Sequence, residues 1–184
     1  MRKASTLLPE TSFWNIIQSS LKDGSSMEHQ DDYLYAALEK LSVEELIGFK
    51  YWMIKFEVMA YTKNLWSAAY LIKGGCSDDG FEYFRYWIIS RGEQVYKAAL
   101  ANADSLASEY PKVDADLDYE YEGLANIPLE VLDEKYEVDY YEIDGTYDFG
   151  EIYDYPELEF DWHEEEVRSL LPNTFALRDR LEGE

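Results

Sequence analysis

Apolar residues recur at helical spacing through the first hundred residues, the pattern of successive helices that each bury one face. Ser12 is placed to cap a first helix carrying Phe13, Ile16, Ile17 and Leu21, and Asp23-Gly24 ends it. After Gly24-Ser25-Ser26, a second stripe of Leu34, Ala37, Leu38 and Leu41 runs up to Ser42. Ser42-Val43-Glu44-Glu45 then has the form of a capping box, opening a third helix with Leu46, Phe49, Met53, Phe56 and Ala60 on one face. An adjoining helix from about Asn64 carries Leu65, Trp66, Ala69 and Ile72, and Lys73-Gly74-Gly75 stops it. Asp79-Gly80-Phe81-Glu82 has capping-box spacing and opens a helix with Phe81, Phe84, Trp87 and Ile88 that closes near Gly92; residues 93 to 100 predict one more.

Beyond Asn102 the periodicity weakens. Asp104-Ser105-Leu106-Ala107 suits one helical turn, Pro111 breaks it, and residues 116 to 136 predict two short helices around Pro128. Residues 137 to 161 alternate acidic with aromatic or aliphatic side chains, a pattern compatible with a short strand, a hairpin or an ordered loop. Trp162 to Leu171 predicts a last helix that stops before Pro172, and no segment repeats at a fixed period. The expected fold is therefore mainly α, a compact single-domain helical bundle over residues 1 to 184. It divides into a helical scaffold (10 to 101), a partly irregular acidic region (102 to 166), and a closing helix with a tail (162 to 184).

Composition changes this picture chiefly through charge. With 47% hydrophobic and 16% aromatic residues, the chain has the means to fold despite a net charge of -23. Residues 1 to 101 hold 11 Lys+Arg against 13 Asp+Glu, whereas residues 102 to 184 hold 5 against 26. A field of that sign repels nucleic-acid phosphates and anionic membranes and draws in basic surfaces, so the expected partner is a basic protein. Cys76 is the single cysteine, which rules out an internal disulfide and points to the cytoplasm. Leu7-Leu8 is followed at once by Pro9-Glu10, too short an apolar run for a signal peptide, and no stretch approaches the roughly 20 apolar residues of a membrane span.

The run from Leu65 to Trp87, with Gly74-Gly75-Cys76-Ser77-Asp78-Asp79 at its centre, and the later Asp104-Ser105-Leu106-Ala107 resemble a bacterial family known as domain of unknown function 4240. The similarity starts near Phe13-Trp14 and weakens after about residue 126, although Trp162 to Pro172 is similar to the family's closing helix. The acidic stretch from 137 to 161 departs from the family. The resemblance implies a compact, mainly helical intracellular domain and supplies no activity, cofactor or catalytic residue.

Two candidate sites follow. A hydrolase-like reading makes Cys76 a nucleophile, with Asp78, Asp79 and Glu82 as acid/base groups, Arg85 holding an anion, and Trp66 and Trp87 lining a pocket. Against it, the glycines turn the chain, Ser77 to Asp79 cap the next helix, Cys76 fits a small buried site, and His29 and His163 lie in acidic contexts without a partner motif. The alternating acids from Asp114 to Glu122 lack the glycine and final glutamate of a calcium loop, and Gly74-Gly75 lacks the Lys-Ser/Thr of a phosphate loop, so no metal or cofactor is expected.

The second candidate is the stretch from 102 to 166, which holds 23 Asp+Glu, two lysines and nine of the 17 tyrosines. Carboxylates steer a basic partner and tyrosines supply contact area at low entropic cost. The expected contacts are Asp116, Asp118, Tyr119, Glu120, Tyr121, Tyr140, Tyr141, Tyr153 and Tyr155. The function expected on this reading is an immunity protein that covers the cationic site of a cognate bacterial toxin; the alternatives are the hydrolase-like enzyme and a regulatory module with a small ligand.

Overall fold

The computed structural model describes residues 1–21, 27–109, 119–159 and 163–181, and it is mainly helical. The organising element is the helix Val43–Met59 (α3), which buries residues on nearly every side and packs against Glu10–Ser20 (α1), Asp78–Ser90 (α5) and Gly123–Tyr136 (α7). A helix buried on nearly every side belongs inside a bundle rather than on its surface. Its start is the expected capping box: Ser42 Oγ accepts from the Glu45 amide at 3.3 Å while Glu45 Oε2 accepts from the Ser42 amide at 2.9 Å. Where α1 meets α3, the rings of Phe13, Trp14 and Phe56 pack with Tyr96 of Glu93–Ala101 (α6) at centroid separations of 4.6 to 5.4 Å. Met27–Leu38 (α2) lies along α7 and α1, and Gln30 at its buried face donates to Ser20 Oγ (2.8 Å) and to the Ser90 carbonyl (3.0 Å), joining three helices through one amide. No helix among the described residues is long and apolar enough to cross a membrane.

The N-terminal segment crosses α3 closely at Gly48. The Trp52 indole N–H donates to the Leu8 carbonyl at 2.8 Å, and a Cβ built on Gly48 would lie 2.6 Å from the Leu8 nitrogen and 2.7 Å from Leu8 Cβ. Backbone atoms cannot yield as a side-chain tip can, so Gly48→Ala should lower stability by about 2 kcal/mol despite alanine's better helix propensity. Urea denaturation followed by tryptophan fluorescence measures this, and a neutral or stabilised variant would show that the crossing is loose.

Several boundaries differ from the sequence-based expectation. Helix α1 begins at Glu10 behind Pro9, two residues before Ser12. Ser77, not Asp79, caps α5, its Oγ accepting from the Gly80 amide at 3.1 Å. Residues 123 to 136 form one helix that runs through Pro128, because burying Leu124, Ile127, Val131 and Leu132 outweighs the hydrogen bond proline cannot make. The acidic alternation becomes a single-turn helix Tyr140–Ile143 (α8), a 3-10 turn Asp144–Thr146 and a two-residue strand Tyr147–Asp148 (β2), which pairs in parallel with Arg2–Lys3 (β1) rather than forming a hairpin. Pro172 stops one helix, Glu164–Leu170 (α9), and starts another, Pro172–Leu181 (α10), where a tail was expected. The helix Lys63–Lys73 (α4) ends as predicted, with Gly74 in the left-handed conformation at φ 70°.

Candidate functional site

The acidic region is built from the helical scaffold outward. Residues 147 to 159 form a strap along α3: β2 is tethered by β1, Phe149 is buried with its ring 6.2 Å from Tyr51, and Tyr155 reaches α3 again at Glu57. The nine carboxylates between Glu137 and Glu159 are accompanied by no Lys or Arg, and Glu137, Asp139, Glu142, Glu151, Asp154, Glu157 and Glu159 are exposed. Among the tyrosines expected at a contact surface, Tyr141 is 75% exposed, Tyr153 50% and Tyr155 47%. Tyr153 and Tyr155 are exposed on the strap, and Tyr141 on the single-turn helix α8 that precedes it.

The remaining expected contacts point inward or lie elsewhere. Tyr119 is buried edge-on against Trp87, with ring centroids 5.3 Å apart. Tyr121 is buried, and its hydroxyl donates to Asp31 while its amide donates to the Tyr83 carbonyl at 3.0 Å. Tyr140 is buried beside Tyr141 and Phe149. Glu120 forms an ion pair with Lys73. Asp116 and Asp118 lie outside the described residues.

Beneath the strap sits a polar cluster that no sequence motif announced. Glu57, 1% exposed, pairs with Arg85, 3% exposed, through Oε1 and Nη2, and Tyr155 donates to Glu57 Oε2 at 2.6 Å. The Arg85 Nε and Nη1 groups have no hydrogen-bond acceptor among the described residues. Instead the guanidinium carbon lies 4.6 Å from the Phe81 ring centroid, 4.8 Å from Tyr61 and 5.7 Å from Tyr155, so aromatic faces offset part of the lost hydration. Burial pushes the Glu57 carboxyl above its ordinary range, although Arg85 and the Tyr155 hydroxyl pull it back. The Tyr155 and Tyr86 hydroxyls are held above the usual phenol range, first by burial. Lys50, also on α3, donates to the Ala125 carbonyl at 3.1 Å, and burial depresses its ammonium to about 8. The visible hint in the sequence was a carboxylate in the otherwise apolar run Phe56-Glu57-Val58-Met59.

Of the residues of the hydrolase-like reading, Cys76, Asp78, Asp79, Glu82 and Arg85 lie in α5 or just before it. Asp78 and Asp79 are exposed in the first turn of α5, favourably placed against the helix dipole, while Arg85 is committed to Glu57. Cys76 is half-buried, its thiol 3.5 Å from the Ser77 carbonyl, and burial raises its pKa against the opposing pull of Lys73 and Arg85. Alkylation by iodoacetamide at pH 8 should therefore run slower than that of a free thiol, by about threefold or more. A faster rate would support a nucleophilic role. His29 and His163 are exposed, and no group of three His, Cys, Asp or Glu among the described residues is arranged to hold a metal ion.

The Asp104-Ser105-Leu106-Ala107 element has a structural task. It lies in a 3-10 helix, Ala103–Ser108, and the buried Asp104 carboxylate caps α10 from a distance. Oδ2 accepts from the Asn173 amide (3.0 Å) and side chain (2.7 Å), and Oδ1 from the Thr174 amide and hydroxyl (2.9 Å each). A groove of about 500 Å³ runs between the two elements, lined by Ser105, Ser108, Leu177 and Arg180 among others.

Comparison with known proteins finds no matching curated protein and no matching solved structure. It does find one family, described as Protein of unknown function (DUF4240), over residues 8–137, more than half of the chain. That span includes Glu57, Cys76 to Asp79, Arg85 and Asp104 but ends before the strap. The chain belongs to this family, DUF4240.

Proposed function

We propose that this protein is a non-enzymatic binding protein that captures a basic protein partner on its acidic strap, in its sharpest form a cytoplasmic immunity protein that neutralises a cognate toxin by covering a cationic surface. The observation that carries the reading is the exposure of Tyr141, Tyr153 and Tyr155 among carboxylates with no basic residue between Glu137 and Glu159. The carboxylates accelerate encounter with a positive surface and the tyrosine rings supply contact area once it has docked.

The test combines identification with mechanism. A partner is isolated from the native host at low salt, and its affinity is then measured by titration at rising NaCl. Affinity should fall steeply with salt. Tyr141→Ala and Tyr153→Ala should each weaken binding about tenfold, as for residues at the centre of an interface. For the immunity form, co-expression with the partner should abolish its toxicity. Salt-insensitive binding, or binding centred on residues 1 to 60, would refute the proposal.

A further inference from the structure

The Glu57 cluster has the construction of a receptor with its occupant in place. Three of its walls, Glu57, Phe81 and Arg85, are almost fully buried and are carried by the interior helices α3 and α5. Tyr61 forms the fourth, supported by Trp66, whose ring lies 4.4 Å from Phe81 and 5.7 Å from Tyr61. All lie within the family-matched span, whereas Tyr155 arrives from beyond it on the strap. Tyr155 meets Tyr61 edge-on at 5.0 Å, lies over the Arg85 guanidinium, and places its hydroxyl 2.6 Å from Glu57 Oε2. Half of the tyrosine remains exposed, so the pocket it fills opens to solvent.

We propose that Glu57, Arg85, Tyr61 and Phe81 form a binding pocket for a hydroxyaryl group, and that Tyr155 is its resident occupant, displaceable by an external phenol. The chemistry selects that class in three ways. A buried carboxylate oxygen requires a donor, which a hydroxyl supplies. A buried guanidinium whose Nε and Nη1 lack acceptors has its charge offset by an electron-rich ring over its face. The T-shaped contact with Tyr61 favours an aromatic neighbour over an aliphatic one. The proposal does not rest on the protein-binding reading: Tyr155 belongs to both, but the pocket walls lie beneath the strap and the p-cresol test needs no protein partner.

The experiment uses the full chain carrying Tyr155→Ala, with p-cresol as the probe and toluene as the control. Calorimetric titration should show saturable p-cresol binding to the variant, at least tenfold tighter than to the wild type, with a rise in Tm; toluene should bind at least tenfold more weakly than p-cresol. Equal binding of the two probes, or no gain over the wild type, overturns the proposal. If Tyr155→Ala does not fold, the wild type decides: p-cresol should saturably increase hydrogen exchange of the backbone amides around Tyr155, mapped by mass spectrometry, while those around Tyr141 stay constant. Unchanged exchange around Tyr155 overturns the proposal equally.

Discussion

Glu57→Ala is expected to destabilise the protein by about 3 to 5 kcal/mol, the range for removing one partner of a buried ion pair. The mechanism is specific. Arg85 pairs with no other carboxylate among the described residues, and two of its three nitrogens already lack acceptors, so the variant leaves a guanidinium buried with only aromatic faces around it. The Tyr155 hydroxyl loses its acceptor in the same step, which loosens the strap at that end. Urea denaturation with tryptophan fluorescence gives the number. Glu57→Leu combined with Arg85→Met should recover most of the loss, because the desolvation cost of both charges disappears with them. A double variant as unstable as the single one would mean that the pair is needed for packing rather than for charge balance.

The second large effect is expected at Asp104. Its carboxylate accepts four hydrogen bonds, two from backbone amides at the start of α10 that no other group satisfies in this arrangement. Hydrogen bonds to an ionised acceptor contribute roughly 1.5 to 3 kcal/mol each and are not additive, so Asp104→Ala should cost about 3 kcal/mol. Asp104→Asn keeps one acceptor oxygen but turns an N–H₂ toward existing donors, and should fall between the wild type and alanine. Hydrogen exchange localises the damage: amides of α10 should lose protection first while α3 and α5 keep theirs. Uniform loss across the molecule would show that α10 is not a separable unit docked through this carboxylate.

These two positions also mark where sequence reading succeeds and stops. Asp104 belongs to a visible motif, but its partners lie 69 and 70 residues away at Asn173 and Thr174, where the periodic pattern predicts a tail. Glu57 was hidden inside an apolar helix, and pairing it with Arg85 requires knowing that α3 and α5 pack side by side.

The features legible in the sequence are local. The capping box at Ser42, the left-handed stop at Gly74 and the apolar stripes of the first hundred residues locate α3 and the end of α4, because caps and amphipathic spacing act within a few residues. The concentration of acid in the second half follows from counting alone. Only the tertiary structure decided which tyrosines face out. Alternation of acid and aromatic says that two faces exist without saying which is covered, and a strand needs an edge to pair with; here β1 offers two residues, so Tyr147–Asp148 pairs and the rest of the strap is placed by Phe149 and Tyr155 reaching into α3. Tyr119, Tyr121 and Tyr140 went inward because hydrophobic neighbours and, for Tyr121, a carboxylate from α2 were waiting there, leaving Tyr141, Tyr153 and part of Tyr155 to form the surface.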